Sequence, residues 1–503
     1  MARIAVIGAG LGAMAASARL AVAGHEVRVY ERTETYGGGV RRYERDGFRF
    51  DTGPGLLHLP AVYRDLFVKT GREPLEKRVE LVRPDPAVRH VFADGTSVSL
   101  PHASRAGTID ALDGALGAGT GERWTDLLSR ARTVWDATRR PLLEEPLSAS
   151  SSAGEASAGT PGEAFTQDPY PALRRGGLLR RRPPALEEVA EHELRDPRLV
   201  SLLASHAHAY GLDPRWAPAS ATVLAYLEHT FGSWYVRGGI RELARALYER
   251  CRERKVEFHF GTEVLGVRED GGRVSGLELA GAAETDADAD ADAVVAGSFR
   301  PLLRTDVPPA QAAGVPATSR LTVLLALRGA RPEGTVHRTV VHRADAPGQP
   351  LTVLRPDDPS LCPDDGHETA VLSVTVGAEE VRCREDASLL ADRLVAAADA
   401  AGLGLGGRVL WREVRSPADI EAETGVPGGL VPPPALAGPS ARGGLGARAR
   451  RAGDVRPPNR TATEGLYHAG GWAHPGGGTA HAGMSGALVA GLIVEGDGWR
   501  GSR

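Results

Sequence analysis

The chain of 503 residues is 42% hydrophobic and 25% charged, with a formal net charge of -4. That length exceeds what one hydrophobic core usually serves, so two domains are expected, and the charge balance gives no electrostatic reason for a nucleic-acid partner. Three cysteines, Cys251, Cys362 and Cys383, lie far apart with no C-x-x-C pair, which argues against a disulfide framework or zinc ribbon and for a reducing cytoplasm.

The chain enters a strand almost at once, without a secretory leader pattern, and no run approaches the ~20 apolar residues of a spanning helix. Any membrane contact is therefore expected to be peripheral, at the inner face. Arg3 to Ile7 is a short apolar run. Met14 to Ala23 is rich in Ala and Leu and stops at Gly24, as a helix does. Val27 to Tyr30 reads as a second strand ending at Glu31. Strand, glycine turn, helix and strand make one compact unit.

The turn Gly8-Ala9-Gly10-Leu11-Gly12-Ala13 fits the G-x-G-x-x-G/A dinucleotide fingerprint. Gly8 permits the tight turn, Gly10 lets a pyrophosphate approach the backbone, and Ala13 allows close packing of helix on strand. The helix N-terminus offers free N–H groups to phosphate, and Glu31 stands where a carboxylate accepts the ribose hydroxyls. A second match, Gly402-Leu403-Gly404-Leu405-Gly406-Gly407, has helix before it and strand after. That inverted order predicts a connecting loop.

A second glycine cluster, Tyr36 to Arg42, follows the ribose position, and Asp46 to Gly55 reads DGFRFDTGPG. Together GAGLGAMAA, the Glu31–Gly39 stretch and DGFRFDTGPGLLHLPAVYRDLF resemble the phytoene desaturase family of FAD enzymes. The resemblance returns at Gly232 to Gly239 (GSWYVRGG), at Ser416 to Gly429, and at Gly465 to Gly478 (GLYHAGGWAHPGGG). It implies an α/β fold: a Rossmann-type FAD-binding domain of the glutathione-reductase, amine-oxidase and phytoene-desaturase type, with an inserted α+β substrate domain. The expected FAD domain is discontinuous, 1–75, 230–300 and 455–503. The substrate domain takes 76–229 and 301–454, with a flexible insertion about 147–184.

By the same resemblance Arg32, Gly38, Gly39, Gly53, Pro54, Gly55, Gly470, Gly471 and Met484 join the fingerprint residues around FAD. A backbone group near Val264 is expected to hold the adenine. Gly483 and Met484 are expected to open a helix over Ser485 to Val494 whose N-terminus faces the flavin. Two places depart from the family. Gly39 stands where Arg or Lys is usual, so Arg41 is the candidate cation at the pyrophosphate, the alternative being a solvated surface arginine. Trp472 replaces a smaller residue and is expected to alter the cavity beside the flavin.

The implied activity is flavin-dependent redox chemistry on C–C bonds of a large apolar polyene, in secondary metabolism. Three alternatives stay open: a carotenoid desaturase or isomerase, an NADPH-dependent reductive ring-forming enzyme acting on a polyene tetramate macrolactam, and a non-catalytic FAD-binding protein. No second correctly ordered nucleotide unit occurs, so NADPH would serve as a transient hydride donor at the flavin face. No Ser-His-Asp or Cys-His pattern stands out, and the catalytic residues stay unknown. His58, His474 and His481 are candidate bases by position alone. Tyr210, Tyr226, His229, Trp234 and Tyr235 are candidates for the cavity wall.

Other features weigh less. The basic stretch Leu173 to Arg182 reads as a solvated loop because Pro183 and Pro184 prevent a long amphipathic helix, the alternative being contact with an anionic bilayer. Asp286, Asp288, Asp290 and Asp292 lack the turns of a calcium loop. His206 and His208 fall on different helix faces, so no metal is expected.

Overall fold

The computed structural model describes residues 1–147, 168–171, 184–281, 289–297, 318–377, 379–438, 457–496 and 498–501. Much of the 147–184 insertion, the basic stretch 173–182, Asp286 and Asp288 lie outside these residues.

A five-stranded parallel sheet runs in the order β10 (Glu257–His259), β2 (Glu26–Tyr30), β1 (Arg3–Ile7), β13 (Ala293–Ala296), β19 (Leu466–His468). Its central strands are apolar on both faces, as a sheet covered on both sides requires. One face carries the helices Leu11–Val22, Arg241–Glu253 and Thr479–Glu495 over a core of Ile4, Val6, Met14, Leu243, Leu247 and Val489. The other face is covered by the antiparallel hairpin β11 (Val264–Asp270) and β12 (Arg273–Leu279). Chain segments far apart in sequence therefore meet edge to edge in this one sheet.

The helices Leu11–Val22 and Thr479–Glu495 touch through backbone. A Cβ on Gly12 would stand 2.7 Å from Gly470 Cα, and one on Gly486 would stand 2.3 Å from Gly12 O. The C-terminal helix begins at Thr479, not beside Met484 as the sequence suggests. Gly483 lies inside the helix, where its missing side chain admits Val62 and the Tyr63 ring; it marks a packing contact, not a helix start.

A seven-stranded sheet has the order β18 (Val409–Arg415), β14 (Thr318–Arg328), β17 (His367–Gly377), β16 (Leu351–Leu354), β15 (Arg338–Val341), β7 (Val88–Val91), β8 (Ser97–Leu100). One face is a closed apolar core: Leu321, Val323 and Leu325 with Leu372, Val374 and Val376 pack under the helix Arg384–Ala400. The Gly402–Gly407 loop joins that helix to β18, the inverted order read from sequence. Successive residues point to opposite faces, so the other face carries a different set. A helical group, Arg105–Leu116, Thr120–Arg139, Leu186–Leu194, Pro197–Ala209 and Thr222–Phe231, packs around Trp124, Leu127, Leu202 and Leu224. Smaller ladders, β3 (Arg42–Arg45) with β4 (Phe48–Asp51), and β5 (Leu57–His58), β9 (Ser233–Val236) and β6 (Leu81–Val82), tie these parts together. Among the described residues no helix is long and apolar enough to cross a membrane.

A side chain at Gly486 must push two packed helices apart. Gly486→Leu is expected to cost about 3 kcal/mol of unfolding free energy in urea titrations. Gly114→Ala, on an exposed helix with open space around it, is expected to gain about 0.5 kcal/mol. Equal stability of the two variants would refute the packing argument.

Candidate active site

A single cleft of about 510 Å³ runs from the C-terminal ends of the parallel strands to the second face of the seven-stranded sheet. At one end lies the glycine turn. The helix Leu11–Val22 begins at Gly10 without a side-chain cap, so its first N–H groups are available to an anion. The second glycine cluster folds onto the first: Gly37 donates N–H to Ala9 O at 2.7 Å, and a Cβ on Gly38 would stand 3.1 Å from Gly10 Cα. Ala13 packs against Gly297 at the end of β13. Buried Glu31 accepts hydrogen bonds from Ala9 N at 2.8 Å and Thr33 N at 2.9 Å, which fixes its carboxylate at the end of β2.

Sixteen of the seventeen residues expected around FAD line this cleft: Gly8, Gly10, Leu11, Gly12, Ala13, Glu31, Arg32, Gly38, Gly39, Arg41, Gly53, Pro54, Gly55, Val264, Gly470 and Gly471. Met484 does not; it packs with the helical core beside Ala480. The N-terminal turn that reaches the cleft is instead Thr479 to Ala482, held by Tyr63, whose hydroxyl donates to Thr479 O at 2.7 Å. Arg41 enters the cleft, with Nε donating to Gly38 O at 2.9 Å and Nη2 to Glu423 O at 3.0 Å. Arg42 turns away to Gly238 O and Glu242. Trp472 lines the wall.

The loop Gly470–Gly476 is held from behind by Asn459, whose amide donates to His474 O at 2.7 Å and His468 O at 3.2 Å. Ser485 Oγ also donates to His474 O and accepts from Gly470 N. Asn459 is fully buried. His474 is buried too, with Nε2 2.9 Å from Glu145 O, and does not reach the cleft. His58 and His481 do. Of the aromatic wall candidates only Tyr210 reaches it; Tyr235 donates to Asp358 at 2.7 Å, inside the core.

Several working residues carry no signal of their own in sequence. Asp51, partly buried, accepts Ile240 N at 2.8 Å and Arg241 N at 3.2 Å, so its carboxylate caps the helix Arg241–Glu253. Arg241 in turn lies 4.0 Å from the Tyr36 ring centroid and donates to Val40 O at 3.0 Å and Thr35 Oγ1 at 2.6 Å. Two of the recognised motifs are thus one structural unit. Behind the cleft, Glu228 is half-buried against Arg338, with His206 Nε2 at 3.8 Å; the guanidinium outweighs the loss of solvent and holds Glu228 well below the usual carboxylate range. Burial pushes His58 below its ordinary value and His208 down to about 4, so both imidazoles are neutral at pH 7. Among the described residues no group of three His, Cys, Asp or Glu could hold a metal.

A glycine-cradled helix N-terminus, a carboxylate at the end of β2 and a second helix N-terminus facing one cleft define a dinucleotide-binding protein of the Rossmann type. The chain belongs to the flavin containing amine oxidoreductase family, whose model matches residues 13–404. It is 26% identical to a 4,4'-diapolycopene oxygenase of Methylomonas sp over 98% of both chains. It is 29% identical to a zeta-carotene-forming phytoene desaturase of Myxococcus xanthus over 57% of this chain and 52% of that one. Among solved structures, an oxidoreductase from Methanosarcina mazei superposes with a TM-score of 0.61 at 16% identity, covering 97% of this chain and 99% of that one. A putrescine oxidase gives 0.62 at 13%, covering 98% and 99%. The structural likenesses establish the fold. The protein is an FAD-dependent oxidoreductase.

Burial raises the Asp51 carboxyl to about 6, against the opposing pull of the two N–H groups and Arg42. Below pH 4 the acid is neutral in both folded and unfolded states. Between pH 4 and 6 the unfolded chain ionises first, so stability falls as pH rises through that window, by roughly 2–3 kcal/mol. Asp51→Asn keeps an acceptor for Ile240 N and cannot ionise, so its unfolding free energy is expected to lack this fall. A wild-type and variant pair with identical pH profiles from 3.5 to 7 would contradict the assignment, the range being set at roughly the carboxylate window.

Proposed function

We propose that the protein transfers hydride between FAD and a C–C unit of a large, mainly apolar polyene, and that the nucleotide end of the cleft is the FAD site. The observation that carries this reading is the continuity of the cleft. The glycine turn and the Thr479 helix terminus open directly into a space walled by Leu56, Leu59, Leu227, Leu354, Val371 and Leu430. Such a shape takes an extended apolar ligand alongside a dinucleotide. The relatives named for diapolycopene and phytoene support the substrate class.

When bound, FAD supplies a hydride acceptor or donor at a fixed position. The chain's own residues set the surroundings. Arg41, in contact with the second glycine cluster, supplies the cation that Gly39 lacks and meets the pyrophosphate. The N-terminal turn of Thr479–Glu495 places the positive end of a helix dipole at the cleft wall, a setting that favours negative charge there. Trp472 narrows the cavity beside that wall. Neutral His58 faces the same space and can accept the proton that a desaturation releases.

A reductive direction remains the second reading. NADPH would then deliver hydride transiently from the cleft, since among the described residues only one nucleotide-type βαβ unit is present.

The purified protein is expected to show the two visible flavin absorption bands. Anaerobic bleaching by NADPH marks the reductive reading, and bleaching by a polyene alone marks desaturation. A protein that stays colourless after incubation with FAD refutes the proposal. Arg41→Met is expected to weaken FAD binding roughly tenfold, the scale of one charge-assisted hydrogen bond, while Arg42→Met leaves it within twofold.

A further inference from the structure

The two faces of the seven-stranded sheet differ more than an apolar substrate needs. The face under the helix Arg384–Ala400 packs Leu321, Val323, Leu325, Leu372 and Val374 into an apolar core, and the charged residues at its edges are paired, Glu368 with Arg355 and Arg412 with Asp392. The face that floors the cleft carries Arg320 and Thr322 on β14, Ser373 and Thr375 on β17, and Thr352 on β16. Register places them together: Arg320 pairs with Thr375, Thr322 with Ser373, and Ser373 with Thr352.

These groups have spare capacity. Arg320 donates one hydrogen bond, from Nη2 to Ala209 O at 2.7 Å. It forms no ion pair with any described carboxylate, whereas Arg338 on the neighbouring wall is matched by Glu228. Thr375 Oγ1 donates to His208 O at 2.8 Å. The hydroxyls of Thr322, Thr352 and Ser373 make no hydrogen bond among the described residues. A guanidinium set in a cleft without a counter-ion among the described residues has donors free for an anion, and it stays charged. Hydrocarbon laid on this floor would desolvate the cation and the hydroxyls with nothing in return.

The floor also sits beside the reacting end of the cleft. Ala209 and Tyr210 link the two: Arg320 holds the Ala209 carbonyl, and the Tyr210 ring lies 3.3 Å from where a Cβ on Gly478, the N-cap of the C-terminal helix, would stand.

We propose that Arg320, with Thr322 and Ser373, binds an oxyanion carried by the substrate itself, a carboxylate, enolate or similarly acidic oxygen at one end of an otherwise apolar polyene. The inference rests on the proposed polyene activity and narrows it to amphipathic substrates. A planar guanidinium flanked by hydroxyl donors matches a two-oxygen anion in geometry and charge. The hydrocarbon portion lies along Leu227, Leu354 and Val371, while the anionic end fixes which carbon–carbon unit faces the flavin.

The test compares all-trans-retinoate with its methyl ester, one polyene with and without the charge, titrated into the FAD-loaded enzyme and read by perturbation of the flavin spectrum. Wild type is expected to bind retinoate at least tenfold more tightly than the ester. Arg320→Met is expected to erase that preference while keeping flavin content and ester affinity. Equal binding of acid and ester by wild type overturns the proposal, and so does a preference that survives in Arg320→Met. Loss of FAD from Arg320→Met assigns the arginine to the flavin and overturns it as well. Weaker NADPH-driven bleaching in that variant, with the retinoate preference intact, assigns the cation to a nucleotide phosphate with the same result. If neither polyene perturbs the flavin of a yellow, FAD-replete protein, the polyene reading itself fails and the inference falls with it.

Discussion

The close backbone approach at Gly12 sets the geometry on which the cleft depends. Three pieces meet there: the first turn of the helix after β1, the Gly470 turn after β19, and the C-terminal helix at Ala482 and Gly486. With no side chain between them, two helix N-termini converge on one space, and their unpaired N–H groups and dipole ends add. Either helix alone would offer an ordinary anion site. Together they make one cleft that, in the proposed function, receives phosphate at one place and favours negative charge at another. Asn459 and Ser485 keep the Gly470 turn in register by holding its carbonyls from below.

Around that contact the structure separates two kinds of interior. The parallel sheet and the hidden face of the seven-stranded sheet are closed apolar cores, where side chains touch only one another. The cleft interior instead mixes aliphatic walls with charged groups that are paired, as Glu228 with Arg338, or left open, as Arg320. The first kind supplies stability in proportion to area removed from water. The second costs stability and is sustained by the first. Function is concentrated where the fold tolerates that cost.

Much of this was legible in the sequence because it is local. The βαβ unit, the glycine fingerprint and Glu31 lie within thirty-one residues, and period, turn chemistry and spacing identify them without any tertiary information. The reversed order around Gly402–Gly407 was equally readable. What escaped reading is non-local. Asp51 caps a helix 189 residues away, and nothing in DTG says which N–H groups its carboxylate will meet. The start of the C-terminal helix was placed late because Gly483 resembles a boundary residue, whereas the constraint on it is the Tyr63 ring. Arg320 has no motif around it; its place on the cleft comes from the face it shares with Thr322 and Ser373.

That last point bears on how such a cleft selects its ligand. Strand alternation puts every second residue of β14 and β17 on the cleft face. Beyond Thr322, however, the same face continues as Leu324 and Ala326, packed against Phe48 and Phe50. Of the polar residues on this face, Arg320, Thr322, Thr352 and Ser373 line the cleft, whereas Thr369 and Glu413 lie beyond it, Glu413 accepting from the Tyr43 hydroxyl. The apolar remainder closes the core under the β3–β4 hairpin. Where the sheet meets protein its charged residues are paired, as Glu368 with Arg355 and Arg408, whereas at the cleft Arg320 has no counter-ion among the described residues. Pairing within the protein accounts for the first set, and the proposed anionic end of the substrate would give the cleft cation its counter-charge.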